Sequence, residues 1–356
     1  GNAGRFADGE QAGHHVVRVA VLQGYDLAVV VGRNAAHVVV HRGQHGNRVL
    51  GDIGAGKHLG CLGNARQTFL DDFTPKVLEI QVYVVALFAD SPEPHVTSAE
   101  VQAALFDGPS PVGPVTEFYD EASGGRLRVA GEAFPWVRTS LTMAEVVGDS
   151  WGLGEGSQTG TFLLEAVAAV DATVDFGQFD NDGPDGIPNS GDDDGKVDAV
   201  AIQFLEVAAS CGGPSIWPHR SRLRYRNDNS PFVTDDPGAN GSPILLDDYT
   251  TQGATDCGGE LVQNATTIAH ELGHVIGLPD LYDRSQGLTP EDRRWVVGCW
   301  SLMAAGAWGC GTMNREAWVR PTHFGAWEKE RLGWLAGLED VGPGIEQVFT
   351  LGPVQE

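Results

Sequence analysis

HELGHVIGLPD, running from His270 to Asp280, is the stretch on which the reading of this chain turns. A four-residue spacing puts His270 and His274 on one face of an α-helix, one turn apart. Glu271 adjoins the first histidine, where a carboxylate can reach a water held by a metal. Gly277 is free to take the left-handed conformation that ends a helix, and Leu278-Pro279 stops it from continuing. The chain can then double back and bring Asp280 toward the imidazoles. Three protein ligands with a fourth position open is the pattern of catalytic zinc, whereas closed four-ligand sites are structural. The alternative is an exposed amphipathic helix whose histidines bind nothing. The glycine and aspartate at set offsets argue against it.

The surroundings support a helix. LVQNATTIA, residues 261–269, has good helix formers and neither Pro nor Gly, so a helix is expected over 262–276. Working outward, the apolar, β-branched run 77–90 reads as a buried strand. A helix is expected from Ser98, as N-cap, through Leu105, and another over 115–125, closed by glycine. Strands are expected over 127–137 and 196–207. Helices are expected over 161–172 and 322–335. Strands alternating with helices give an α/β or α+β domain with a mixed sheet.

The chain has 356 residues, 42% of them hydrophobic, which is enough for a substantial core. Its net charge of −25 is unevenly spread: residues 1–76 carry +2 and the remainder −27. An acidic balance of that size argues against a nucleic-acid partner, which requires a basic face. It suits a soluble extracellular protein, and general solubility accounts for much of it. The best candidate for a membrane span, residues 16–40, is interrupted by Arg18, Asp26, Arg33 and His37. No signal peptide is visible, and the chain reads as a fragment at both ends. Residues 1–76 hold 6 of the 11 histidines and show no steady period. They read as an unassigned segment, a propeptide piece or a mis-called extension, with the catalytic domain spanning 77–356 and truncated at its C-terminus.

A second centre is expected in the acidic loop 180–198. Asp180, Asp182, Asp185, Asp192, Asp194 and Asp198, with Asn181 and Asn189 among glycines, offer hard oxygen donors on a flexible backbone, which is calcium chemistry. DNDGPDG resembles the start of an EF-hand but lacks the closing glutamate, so an EF-hand is not assigned. A solvated acidic turn is the alternative.

HELGHVIGLPDLYD, CWSLMAAGAWG (299–309) and PTHFGAWEKERLGWL (321–335) together resemble the immune inhibitor A-type metallopeptidases, secreted zinc endopeptidases related to the metzincins. EFYDEASGGRLRVAGE (117–132), residues 175–200 and IWPHR (216–220) resemble that family too, so the likeness covers roughly 77–356. It implies a zincin fold, with a twisted mixed sheet, an active-site helix and a smaller irregular-plus-helical lower lobe. It also implies a methionine turn beneath the metal, where Met303 stands as a polarizable filler rather than a ligand. Many metzincins use a third histidine where this chain has Asp280. A carboxylate serves zinc equally well, and Asp283, Glu316 and Glu328 compete with it. No tyrosine directly follows the methionine turn, so the oxyanion-steadying group is open among Tyr249, Tyr282, His219 and His323.

Four cysteines lie in the acidic part and none forms a CxxC pair. In a secreted hydrolase they read as disulfides Cys211–Cys257 and Cys299–Cys310, with buried free thiols as the alternative. The six tryptophans from Trp295 to Trp334 read mostly as core, with a substrate-facing wall as the alternative. The expected function is a secreted, monomeric zinc endopeptidase acting on proteins or peptides, with Glu271 as general base, zinc as cofactor and calcium as a second ion. Two alternatives remain: a catalytically silent, calcium-binding adhesion module on the same fold, and a zinc hydrolase with a non-peptide substrate.

Overall fold

The computed structural model describes residues 15–22, 25–31, 36–42, 76–78, 82–110, 113–263, 265–284, 296–308, 321–335 and 349–350. The chain divides into two compact units, Phe73–Trp334 and Gly1–Asp72 with Leu335–Glu356. In the latter, His15–Leu22, Tyr25–Val31, Ala36–Arg42 and Phe349–Thr350 form an antiparallel sheet in that order. These valine-rich runs suit a pleated surface although their polarity does not alternate cleanly.

The larger unit is built on a mixed sheet. Its strands are β1 (Val82–Leu87), β2 (Glu132–Ala133), β3 (Val137–Arg138), β4 (Val200–Phe204), β5 (His219–Arg222) and β6 (Asp248–Gly253). Their order is β5-β6-β4-β1-β2, with β3 also pairing β1. β1 runs parallel to β2, β3 and β4, and β4 parallel to β6, while β5 closes the edge antiparallel to β6. Both faces of β1 are buried, as its unbroken apolar sequence requires. Val82, Val84 and Ala86 point into one core, and Tyr83 and Val85 into the other, following the two-residue period of a strand.

Helices cover both faces. Val115–Ser123 (α1) buries Phe118 and Tyr119 in the Tyr83 core and ends at Gly124, whose φ of 64° is the left-handed stop that its sequence predicts. Thr159–Asp171 (α2) buries Phe162, Leu163, Ala166 and Val167 in the opposite core. Ala265–Val275 (α3) lays Ala265, Ile268, Ala269 and Leu272 on the Tyr83 core. That face follows the i, i+3, i+4, i+7 spacing of an amphipathic helix. Ala326–Arg331 (α4) is shorter than the 322–335 helix read from sequence.

Several boundaries differ from the sequence reading for local reasons. The helix at residue 98 is capped by Thr97, not Ser98: Thr97 Oγ1 accepts from Glu100 N at 3.2 Å, and Glu100 returns the bond to Thr97 N at 2.8 Å. Threonine and a glutamate three residues on make the reciprocal box that Ser98 cannot make. The expected 127–137 strand is three short pieces, Leu127–Val129, β2 and β3; the first pairs with Lys76–Leu78 instead, and Pro135, which lacks a ladder donor, separates β2 from β3.

Of the tryptophans, Trp334 is buried, but Trp300 is 78% and Trp327 49% exposed, so those two are not core. Trp295 and Trp318 lie outside the described residues. Cys211 and Cys257 are joined by a disulfide. Cys299 is disulfide-bonded too, and Cys310 lies outside the described residues.

Candidate active site

The geometry of the centre begins with how α3 ends. Gly277 takes φ 94°, Leu278 N donates to Gly273 O at 2.9 Å, and Gly277 N donates to His274 O at 3.1 Å. This paired pattern of backbone bonds is a Schellman turn. It reverses the chain and carries Asp280 back over the helix. Asp280 Oδ1 comes to lie 3.3 Å from His270 Nε2 and 3.1 Å from His274 Nε2. Three ligands at zinc-like bond lengths of about 2.0–2.1 Å form a tetrahedral face with edges of about 3.3 Å. The observed separations match that face.

Two further observations fit a cation between these atoms. Asp280 Oδ1 is buried and has no hydrogen-bond partner despite its two nitrogen neighbours. The outer ring nitrogens are committed elsewhere: His270 Nδ1 to Leu302 O at 2.9 Å and His274 Nδ1 to Leu278 O at 2.7 Å. A carbonyl can only accept, so each Nδ1 carries the proton and each Nε2 offers its lone pair to the centre. Ligand atoms of His270, Glu271 and His274 also lie within 4.8 Å of one another. The donor set, two imidazoles and a carboxylate, suits zinc.

The electrostatics follow from burial and proximity. Burial works to raise the Asp280 carboxyl, but the neighbouring His270 and His274 imidazoles outweigh it and hold the group well below the usual carboxylate range. Burial pushes the Glu271 carboxyl up, against the pull of His270 and His274 and a hydrogen bond from the backbone N–H of Arg220 on β5. A bound cation would act in the opposite direction and favour the Glu271 carboxylate.

The floor of the centre is the turn 301–304. Met303 is fully buried, and a side chain at Gly273 would place its Cβ 2.4 Å from Met303 Sδ. The absence of a side chain there lets the turn sit directly against α3. Met303 O accepts from Leu281 N at 2.7 Å, and Ser301 Oγ from Met303 N at 2.9 Å. Glu328, a rival ligand in the sequence reading, instead accepts from Ser301 Oγ and Gly325 N, each at 2.5 Å, and so braces the turn and caps α4. Glu316 lies outside the described residues.

The four candidates for steadying the oxyanion fall in different places. Tyr249 packs in the core on the opposite face of the sheet from α3, 3.0 Å from His219 Nε2. Burial brings His219 down to about 4, and its Nδ1 donates to Trp217 O. His323 Nε2 lies 3.3 Å from Glu121 Oε1. Tyr282 stacks on the His270 ring, with centroids 6.5 Å apart and planes 20° apart.

The acidic loop forms a second cluster. Carboxylate oxygens of Asp180, Asp182 and Asp193 lie within 4.8 Å of one another. Asp180 is 1% exposed, and its Oδ1, together with Asn181 Oδ1 and Asp198 Oδ2, is buried without a partner. Loop amides orient the rest: Gly195 N donates to Asp180 at 3.1 Å, Asp194 N to Asp182 at 3.1 Å, and Gly183 N to Asp193 at 2.7 Å. Burial, reinforced by neighbouring carboxylates, lifts Asp180 to about 6 and Asp198 to about 8. Unpartnered oxygens among crowded like charges are the donor set of a hard cation such as calcium. Asp185, Asp192 and Asp194 turn elsewhere, Asp185 to Ile187 N, Asp192 to Ser190 and Asp194 to Lys196. Asp193, absent from the sequence reading, is indistinguishable by sequence from its neighbours in the run Asp192-Asp193-Asp194.

Comparison with known proteins agrees with this chemistry. Residues 99–335 match the family model for the catalytic domain of immune inhibitor A peptidase M6. The chain belongs to this family. It is similar to the pre-pro-metalloprotease PrtV of Vibrio cholerae, 28% identical over 226 residues, which are 61% of this chain and 23% of that protein. It is also similar to immune inhibitor A of Bacillus thuringiensis subsp. alesti, 29% identical over 243 residues, 64% of this chain and 32% of that protein. The matches thus span about a quarter to a third of those relatives. Among solved structures, metalloproteinase-II from Bacteroides fragilis aligns over 88% of this chain and 76% of its own. Its 11% identity and TM-score of 0.26 carry no argument.

Proposed function

We propose that this M6-family chain is a zinc-dependent endopeptidase acting outside the cell on protein substrates. In this reading its catalytic domain runs from about residue 77 and has a zincin-like, two-lobed architecture. The observation that carries the reading is the spacing of His270 Nε2, His274 Nε2 and the unpartnered Asp280 Oδ1, with Glu271 beside them. Family membership and the names of its relatives support the same reaction class.

His270, His274 and Asp280 would hold the ion, which supplies Lewis acidity and makes water nucleophilic near neutral pH. Glu271 acts as general base on the attacking water. As the new C–O bond forms and the peptide C–N bond breaks, Glu271 hands that proton to the leaving amine. The carbonyls of Leu302 and Leu278 keep both imidazoles in the ligating tautomer throughout. The turn at Met303 supports the helix from below.

We further propose that calcium occupies the 180–198 loop, held by Asp180, Asp182, Asp193, Asp198 and Asn181. The three buried, unpartnered oxygens support this. The test of the main reading is casein hydrolysis before and after chelation. Activity should vanish with the zinc and return on adding about one equivalent back. Proteolysis that persists in the metal-free protein would refute it.

A further inference from the structure

The edge of the sheet beside α3 is a cationic strip in a chain whose net charge is −25. Arg220, Arg222 and Arg224 follow one another at two-residue spacing. Two of them hold a carboxylate by hydrogen bonds: Arg220 donates through Nε and Nη2 to Asp248, and Arg224 Nε donates to Asp247 at 2.6 Å. Arg222 shares Asp248 with Arg220, its Nε standing 3.7 Å from Oδ2, beyond hydrogen-bonding range. The Arg222 side chain is 42% exposed. One carboxylate between two guanidiniums leaves a positive charge in excess. β5 is the last strand of its sheet, so among the described residues no strand covers its outer side.

The register brings that charge close to the metal ligands. Residues opposed across paired strands share a face of the sheet. Arg220 opposes Thr250, Thr250 opposes Ala201, and Ala201 opposes Tyr83, so Arg220 and Arg222 lie on the face that α3 covers. Gln263 N donates to Ala254 O at 2.8 Å, which starts α3 beside the end of β6. Because α3 then packs against β6 and β5, it runs back along them. Glu271 lies about 9 Å from the start of the helix, a distance that about three strand residues cover. That reckoning sets Glu271 level with Thr250 and its partner Arg220, and Arg222 about 7 Å further along.

We propose that Arg222 selects substrates that carry an acidic side chain about two residues from the scissile bond. The inference rests on the endopeptidase reading above and adds a substrate class to it. An extended peptide advances about 3.3 Å per residue, so a side chain two residues from the bond at Glu271 comes level with Arg222. A glutamate or aspartate there supplies a second carboxylate to the two guanidiniums, whereas a lysine meets like charge.

The test uses the zinc-loaded full chain and peptides built around a bond that it cleaves in casein. Glutamate, glutamine and lysine are placed in turn at each position near that bond, on both sides, and kcat/KM is compared. At a position two residues from the bond, glutamate should exceed its neutral isostere glutamine by about threefold to fivefold, the upper range for an ion pair open to solvent. Lysine should fall below glutamine there, and added salt should shrink both differences. Arg222→Ala should bring the glutamate-to-glutamine ratio to about one, Arg222→Lys should keep most of it, and Arg222→Glu should reverse it. A wild-type ratio of about one at every position would overturn the proposal without recourse to any variant. A ratio that survives Arg222→Ala would overturn it too, by assigning the preference to another cation. A zinc-loaded wild-type chain that cleaves neither casein nor peptide would refute the endopeptidase reading itself, an outcome distinct from both.

Discussion

The centre on α3 and the acidic loop are built on opposite plans. On the helix, regular geometry supplies the donors: two histidines one turn apart, a Schellman turn that returns Asp280, and two carbonyls that set the imidazole protons. These groups are oriented by the fold itself. In the loop, carboxylates from Asp180 to Asp198 crowd one another, and three buried oxygens have no partner. Burial, with that crowding added to it, raises the affinity of Asp180 and Asp198 for protons. On the reading proposed above, the helix site is preorganised for its ion, whereas the loop is completed by a cation. Losing the ion should therefore cost chiefly function at the first and chiefly stability at the second.

The sharpest way to break that contrast is Asp280→Ala. Zinc affinity should fall by more than about 100-fold, beyond the cost of losing an outer-shell partner, and proteolysis should fall with it. The melting temperature of the zinc-free protein should change little. A variant that keeps full zinc affinity would return the third-ligand role to another carboxylate.

The loop should respond through stability. In the unfolded chain, aspartates titrate near about 3.9. Asp180 and Asp198 are raised in the folded state, to about 6 and about 8. The native protein thus holds protons that the unfolded chain has released. The resulting stabilisation is fully present below the unfolded value and is lost as pH rises through the folded ones. With calcium chelated, the melting temperature should fall between about pH 5 and about pH 8. Calcium should remove that fall, and Asp198→Asn should flatten it. A chelated protein with a level profile would show that burial and crowding do not hold these carboxyls protonated there.

The smallest effect distinguishes neighbours within the loop. Asp193→Asn should weaken calcium binding by about tenfold, because affinity tracks the number of charged ligands, while Asp192→Asn should change it by less than about twofold. Titration calorimetry of both variants checks this. The reverse order would restore the ligand set expected from sequence.

That contrast also explains what the sequence made legible. A helix has a fixed period, so His270, Glu271 and His274 could be placed from spacing alone, and the glycine stop at Gly277 has a single physical meaning. The two-sided burial of β1 was readable from its unbroken apolar run. A loop has no such period. Asp193 could not be told from Asp192 or Asp194, because only the path of the backbone decides which carboxylate turns inward. Glu328 looked available for the metal until its bonds to Ser301 and Gly325 assigned it to the turn beneath. Tyr282 could be listed among several aromatic and imidazole groups, but its stacking on His270 depends on the tertiary return at Gly277. Core packing was expected for most of the tryptophans, and Trp300 and Trp327 are exceptions, because a cluster along the chain does not specify which side of the fold each one faces.

The most direct test of the central claim is Glu271→Gln, with zinc content and casein hydrolysis measured on the same sample. The amide preserves size but cannot accept the proton. The account predicts about one zinc per chain with turnover lowered by at least about 100-fold, the contribution expected of a positioned general base. Full zinc occupancy with undiminished proteolysis would contradict it.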